Sequence, residues 1–407
     1  MFYLKLAWRN ILRNKRRTII ASIAIGVGLA SLIVTDGFMI GMKNNLVDSA
    51  TSTLLGEAQI HHKDFRQSFD VEKTILNKEE VFANLMKDPD VETFSERVIS
   101  LGMITSPSTA ESVIVYGIDP MNDKNLSKID NRIDRGTYFE ESIGREIVIG
   151  SKLAEVLEVS LGDRIVITVA QAFGGDLSQE MFRVSGIYHF NVKEMDNGMV
   201  FIRKEKAQKM LNLEDKIHEI AVKFTNIRSA EDKKIPFWNK FGSDGNEAVS
   251  WTIIMAELKN ILDMTDISLY MMGGILFFVV IFGIINSLFM SLYERMFEFG
   301  ILKAVGTRPS GLRKLILFEA GWLAIVSIFI GVLIGFAGSL LLLKYGINYG
   351  GIELSGAYIH EKIYPVMNLM QYIKYPVFVL IFTIVVGLYP AYVAGKMKVT
   401  DALRKSM

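Results

Sequence analysis

Tyr293-Glu294-Arg295-Met296-Phe297-Glu298-Phe299-Gly300-Ile301-Leu302-Lys303-Ala304-Val305-Gly306-Thr307-Arg308-Pro309 lies between two long apolar runs and decides how the chain is laid out. A bilayer interior does not hold Glu294, Arg295, Glu298, Lys303 and Arg308 so close together, because each charge would lose its hydration there. The stretch is therefore an elbow outside the membrane, joining two spans. On a helical wheel Met296, Phe299, Leu302 and Lys303 fall near one face, and Gly306 with Pro309 marks the stop. A short amphipathic helix pinned to the membrane surface is well placed to be pushed by a soluble partner.

Outward from the elbow, four apolar runs are long enough to cross a hydrocarbon core, which takes roughly 20 helical residues. They are 18–40, 267–292, 315–343 and 375–394. No such run occurs between Ile40 and Ile267. The expected fold class is an α-helical membrane protein with four transmembrane helices and a large α+β domain, 44–264, between helices 1 and 2. The remaining pieces are an amphipathic interfacial helix (1–17), the elbow (293–314), an outer loop (344–374) and a tail (395–407). Lys and Arg set the orientation. Lys5, Arg9, Arg13, Lys15, Arg16 and Arg17 precede the first span, Arg313 and Lys314 add to the elbow's cations, and Lys396, Lys398, Arg404 and Lys405 follow the last span. Four spans put all of these on one side, the cytoplasm, and the large domain in the periplasm of a bacterial inner membrane. Half of the 407 residues are hydrophobic and the formal charge is +1, too apolar for one soluble domain of this size. Cysteine is absent, which excludes disulfides, thiolate nucleophiles and Cys-based metal sites.

Leu4, Ala7, Trp8, Ile11 and Leu12 have the spacing of an apolar helix face, with Lys5, Arg9 and Arg13 opposite. The first span carries Gly26, Gly28, Ala30 and Ser31, which let a neighbouring helix approach closely, and the third carries the G-x-x-x-G pair Gly331 and Gly335. These small residues serve helix packing or leave room where substrate comes in. Asp36 is either a polar contact at a lateral opening or a group reaching interfacial water. Glu319 either meets the elbow or snorkels. In the large domain the pattern predicts helices over 77–87, 152–157 (capped by Ser151), 204–211 and 230–241 (interrupted at Pro236). Strands are predicted over 112–118, 146–149, 164–169, 180–188, 198–202 and 219–224, with a glycine loop from Ala170 to Gln179. The strand-helix-strand order predicts small sandwich lobes of ferredoxin-like character.

The string E-R-x-x-E-F-G-I-L-K-A-V-G from Glu294 resembles the coupling loop of the MacB/FtsX/Lol superfamily of ABC-transporter permeases. Tyr389-Pro390-Ala391-Tyr392-Val393-Ala394, followed by Thr400-Asp401-Ala402-Leu403-Arg404, resembles the same family's P-A-x-x-A…A-L-R terminus. Val115-Tyr116-Gly117-Ile118-Asp119-Pro120, Arg135-Gly136, the run Glu146 to Ala154 and Leu161-Gly162-Asp163 are similar to the periplasmic domain of lipoprotein-releasing (Lol) permeases. The resemblance implies a coupling helix that docks in a groove of a separate ATPase, with Glu294, Arg295, Glu298, Phe299, Gly300, Leu302, Lys303, Ala304 and Gly306 as the coupling residues. It further implies a second permease subunit, identical or paralogous, and ATP with magnesium bound by the ATPase and no cofactor in this chain. In one Lol subunit the loop after the G-D strand recruits a periplasmic lipoprotein carrier. The matching loop here, with Phe173, Gly174 and Gly175, is shorter and lacks the family hook's prolines, so a carrier or partner loop and an ordinary glycine hairpin both remain open.

No phosphate-binding G-x-x-x-x-G-K-[ST] loop, G-x-S-x-G elbow or H-E-x-x-H helix occurs. His61-His62 has no partners at ligand spacing and reads as a surface pair. No catalytic residue, metal site or nucleic-acid partner is expected. Three readings follow from the resemblance: a permease that extracts lipoproteins, a MacB-like efflux permease for a periplasmic peptide or drug working with an adaptor, and an FtsX-like regulator of cell-wall hydrolases.

Overall fold

The computed structural model describes residues 2–139, 144–348, 351, 353–354, 357–358 and 362–398. The terminal segment from Thr400 and its A-L-R motif lie outside the described residues. The chain divides into two units, one built from 1–44, 263–349 and 361–407, the other from 45–262 with 350–360.

Among the described residues, four helices are long and apolar enough to cross a membrane: Lys15–Ala50, Ala256–Glu294, Pro309–Tyr345 and Gln371–Lys396. They are called the first to fourth span helices below. All run past the apolar windows at one or both ends, because hydrogen bonding continues wherever helical spacing still buries one face, as Leu46, Val47 and Ala50 show. Inside the membrane unit, Ile25, Leu29 and Ile33 of the first span helix meet Val280, Ile284 and Leu288 of the second. Both triplets step by four residues and so share one helix face. Small residues set the closest approaches. A Cβ added at Gly331 would stand 2.8 Å from the Gly26 carbonyl oxygen, and one at Gly28 would stand 2.3 Å from Val280 Cγ2. The N-terminal amphipathic helix, Phe2–Arg13, buries Ala7 and Ile11 and packs Trp8 against Trp322, the rings tilted by 51° with centroids 4.7 Å apart.

In the other unit the strands are β1 (Ala58–His62), β2 (Val91–Thr105), β3 (Ala110–Ile118), β4 (Ile133–Gly136), β5 (Glu146–Gly150), β6 (Arg164–Ala170), β7 (Leu177–Tyr188), β8 (Met199–Arg203), β9 (Glu219–Phe224) and β10 (Asn246–Ser250). They form one sheet in the order β10-β1-β9-β2-β3-β8-β5-β7-β4, with β6 bridging β2 and β7. Ferredoxin-like lobes are therefore replaced by a single mixed sheet. The path β2-β3-β8-β5-β7-β6 returns to β2 through the pairing of Gly102–Thr105 with Val166–Val169, so six strands close on themselves. Closure removes open edges that would otherwise invite foreign strands. Ile99, Tyr116, Ile118, Val148, Tyr188 and Phe201 fill the core.

Sequence patterning misses β1, β2, β4 and β10. β2 fails the apolar-alternation rule because it carries Arg97 into the core. There Arg97 is buried and donates to Asp123 at 3.0 Å and Glu219 at 3.1 Å, both buried. Its charge is tolerable only because both partners are present. His61 is not a surface residue: it is fully buried in β1, with Nδ1 3.2 Å from Glu247. Ser151 does not cap its helix. Gly150 occupies that position and the Ser151 hydroxyl meets His189 Nδ1 at 2.8 Å. The expected helix 230–241 is a 3-10 turn, Ile227–Ala230, and a separate short helix, Phe237–Phe241. Asp232 diverts the chain between them, its carboxylate accepting from Lys234 N at 2.9 Å and its carbonyl from Trp238 Nε1 at 2.8 Å.

Candidate functional site

The second span helix stops at Glu294, Arg295 leaves helical geometry, and a new helix, Met296–Ala304, forms the elbow. The break is held by a charged cluster. Arg295, almost wholly buried, donates through Nη1 to both oxygens of Glu319 at 2.7 Å each and through Nε to Glu298 at 3.0 Å. Its guanidinium lies 4.9 Å from the centroid of the Phe299 ring. Burial pushes the Glu298 carboxyl up, but Arg295 and Arg13 beside it more than reverse this, and it titrates below the usual carboxylate range. Glu319 thus contacts the elbow and does not snorkel. It also accepts from Asn10 Nδ2 at 2.6 Å. Arg13 pairs with Glu298, and Arg17 pairs with Glu294 and donates to Ser291 at 3.0 Å.

Lys303 closes the far end, donating to the carbonyls of Gly395 at 2.9 Å and Met397 at 2.6 Å, where the fourth span helix has no further amides to offer. The elbow helix ends in a Schellman turn. Thr307 N bonds Leu302 O at 2.9 Å and Gly306 N bonds Lys303 O at 3.0 Å, with Gly306 at φ +100°. Phe299 and Gly300 are buried and Leu302 half-buried. The residues singled out from the sequence therefore divide: Arg295, Glu298, Phe299, Gly300, Leu302 and Lys303 hold the elbow against its neighbours, Glu294 pairs with Arg17, and Ala304 and Gly306 are exposed. The outward apolar stripe is Phe297, Ile301 and Val305, exposed to 43, 43 and 83%. Sequence reasoning passed over these three, although their four-residue spacing is a readable helical stripe.

Farther along the same unit the first, second and fourth span helices line a half-open cavity of 600 Å³. Its lining is largely apolar, including Leu32, Tyr270, Phe277, Phe378 and Phe382, with Asp36 as an acidic group inside it. The Tyr375 hydroxyl hydrogen-bonds Asp36. Gly26, Gly28, Gly331 and Gly335 sit in packing seams between helices and not in this lining. In the other unit, β7 begins at Leu177, so the glycine loop shrinks to 171–176. Gly174 and Gly175 turn at φ +93° and +72°, Phe173 is 53% exposed, and Lys216 Nζ stands 5.4 Å from its ring centroid. Among the described residues no group of His, Asp and Glu is placed to hold a metal ion.

Residues 18–233, more than half of the chain, match the MacB-like periplasmic core domain family, and residues 270–399 match the FtsX-like permease C-terminal family. The chain is an ABC transporter permease of the MacB/FtsX/Lol superfamily. Similar proteins include the lipoprotein-releasing system transmembrane protein LolC of Xylella fastidiosa strain 9a5c, 21% identical, with 95% of this permease and 92% of the relative aligned. LolE of Haemophilus influenzae is 21% identical over 98% of each chain. Among solved structures, the periplasmic region of MacB from Actinobacillus actinomycetemcomitans is 14% identical with a TM-score of 0.35, covering 52% of the permease and 96% of that chain. The elbow, with Arg295, Glu298 and Glu319, lies in the part that matches the FtsX-like family, whereas Asn10, Arg13 and Arg17 lie outside both matched stretches.

Proposed function

We propose that this permease, working with a separate ABC ATPase that binds ATP and magnesium, extracts lipoproteins from the outer leaflet of the inner membrane and hands them to a periplasmic carrier. The large domain faces the periplasm, and a second permease subunit completes the membrane part. The observation that carries the reading is the pairing of two features in one unit: an elbow helix with a free apolar stripe at Phe297, Ile301 and Val305, and an apolar cavity large enough for lipid chains. The stripe supplies the docking surface for the ATPase, with Ala304 and Gly306 beside it. Arg295, Glu298, Phe299, Gly300, Leu302 and Lys303 keep the helix rigid enough to transmit a push, and Glu294 ties it to the first span helix. Burial of each acyl methylene is worth about 0.8 kcal/mol, so acyl chains need a cavity of this kind to leave the bilayer. The short Phe173 turn favours a second reading, MacB-like efflux of a soluble periplasmic peptide or drug through an adaptor, because a six-residue turn offers a carrier little to grip.

The test is reconstitution of the permease with its genomically adjacent ATPase in proteoliposomes containing a triacylated lipoprotein. ATP-dependent appearance of lipoprotein in the soluble fraction, with a carrier present, is expected. Intact ATP hydrolysis without release would reject lipoprotein extraction and leave efflux as the working assignment.

A further inference from the structure

The elbow is joined by the chain only to the second and third span helices. The first span helix, which lines the cavity at Thr35 and Asp36, meets the elbow's flank through Arg17, and the amphipathic helix before it meets the elbow and the third span helix through Arg13 and Asn10. Those side chains form a ladder. Asn10 and Arg13, three residues apart on one side of the amphipathic helix, are followed by Arg17 in the first turn of the first span helix. Each meets a different carboxylate around the break: Asn10 meets Glu319, Arg13 meets Glu298, and Arg17 meets Glu294. Only one turn residue, Asn14, separates the amphipathic helix from the first span helix, and Thr18 Oγ1 donates across that turn to the Ile11 carbonyl at 3.0 Å.

Exposed ion pairs are individually weak. Here, however, Glu319 is buried and shared with Arg295, and Glu298 is likewise shared, so the Asn10 and Arg13 rungs belong to one network, and Arg17 adds a separate tie through Glu294 and Ser291. Displacing the elbow without the ladder would take the Asn10 donor from buried Glu319 and the Arg13 partner from Glu298, and a buried acceptor that loses a donor is costly.

We propose that Asn10, Arg13 and Arg17 are positioning residues that carry displacement of the elbow through the amphipathic helix and its one-residue turn to the first span helix. The first span then moves with the elbow, and the cavity it lines changes shape when the elbow is pushed. This rests on the coupling reading above, but on no particular substrate.

The test exploits the absence of cysteine. Met39→Cys places one thiol on the first span helix, and its maleimide labelling rate is measured in the full permease–ATPase complex in proteoliposomes, with and without ATP trapped by vanadate. The parent is expected to change rate by roughly threefold or more on trapping. Arg17→Glu should abolish that change while ATP hydrolysis stays within about twofold, and the reversed pair Arg17→Glu with Glu294→Arg should restore it, as a direct pairwise interaction requires. Asn10→Ala removes one neutral donor and decides the matter should Arg17→Glu fail to fold; it should also blunt the change. A full response in Arg17→Glu or Asn10→Ala, or no rescue by the reversed pair, overturns the ladder while leaving the coupling reading intact. A parent with no response to trapping overturns both.

Discussion

Glu57 shows how much a single residue's position can hide. Its carboxylate accepts from Phe224 N at 2.8 Å and is buried, and burial pushes its pKa up to about 7, the Phe224 bond and Lys223 offsetting part of this. In the unfolded chain the group returns to its ordinary 4.5. The folded state therefore binds the proton more tightly between those values, and Glu57's contribution to stability is fully present below about 4.5 and lost as pH rises to about 7. His218 works the other way. Burial lowers it from 6.5 to about 4, so its contribution is lost on acidification across that window. Comparing variants separates the two: relative to the native chain, Glu57→Gln should gain melting temperature steadily from pH 5 to 7.5. A pH-independent difference would show that Glu57 is not held protonated. Nothing in the sequence distinguishes Glu57 from the chain's other acids, or Arg97 from its other cations, because burial arises only when β1, β2 and β9 pair.

At the scale of one element, the elbow helix carries two apolar faces with opposite duties. Phe299 is 1% exposed and packs among Leu292, Leu312, Leu315 and Ile316, so Phe299→Ala should cost about 3–5 kcal/mol. Phe297 and Ile301 stand in the open. Changing both to Ser should leave stability within about 0.5 kcal/mol per site, as for other surface substitutions, yet abolish co-purification of the ATPase. Retained co-purification would move the docking surface off this stripe. Helical periodicity made the inward face legible, since Met296, Phe299, Leu302 and Lys303 line up in the sequence. It could not rank the second stripe, because which face a nine-residue helix buries depends on the third and fourth span helices behind it.

For the whole molecule, sidedness is the property that most needs measurement. With no native cysteine, Phe173→Cys should react with an impermeant maleimide added outside spheroplasts, and Val305→Cys only after the membrane is opened. Labelling of Val305→Cys from outside would invert the topology. By itself the sequence determined the four spans, the placing of a large α+β domain after the first, the charged elbow and the permease superfamily, because hydropathy, charge and short motifs are local along the chain. Only the tertiary structure decided that β2, β3, β8, β5, β7 and β6 close into a ring, that His61 and Arg97 lie inside, and that Asn10, Arg13 and Arg17 meet the carboxylates in and beside the elbow. These facts join residues as far apart as Asn10 and Glu319. A pairing at that separation is specified by complementary surfaces in the folded chain, and no window on the sequence contains both partners.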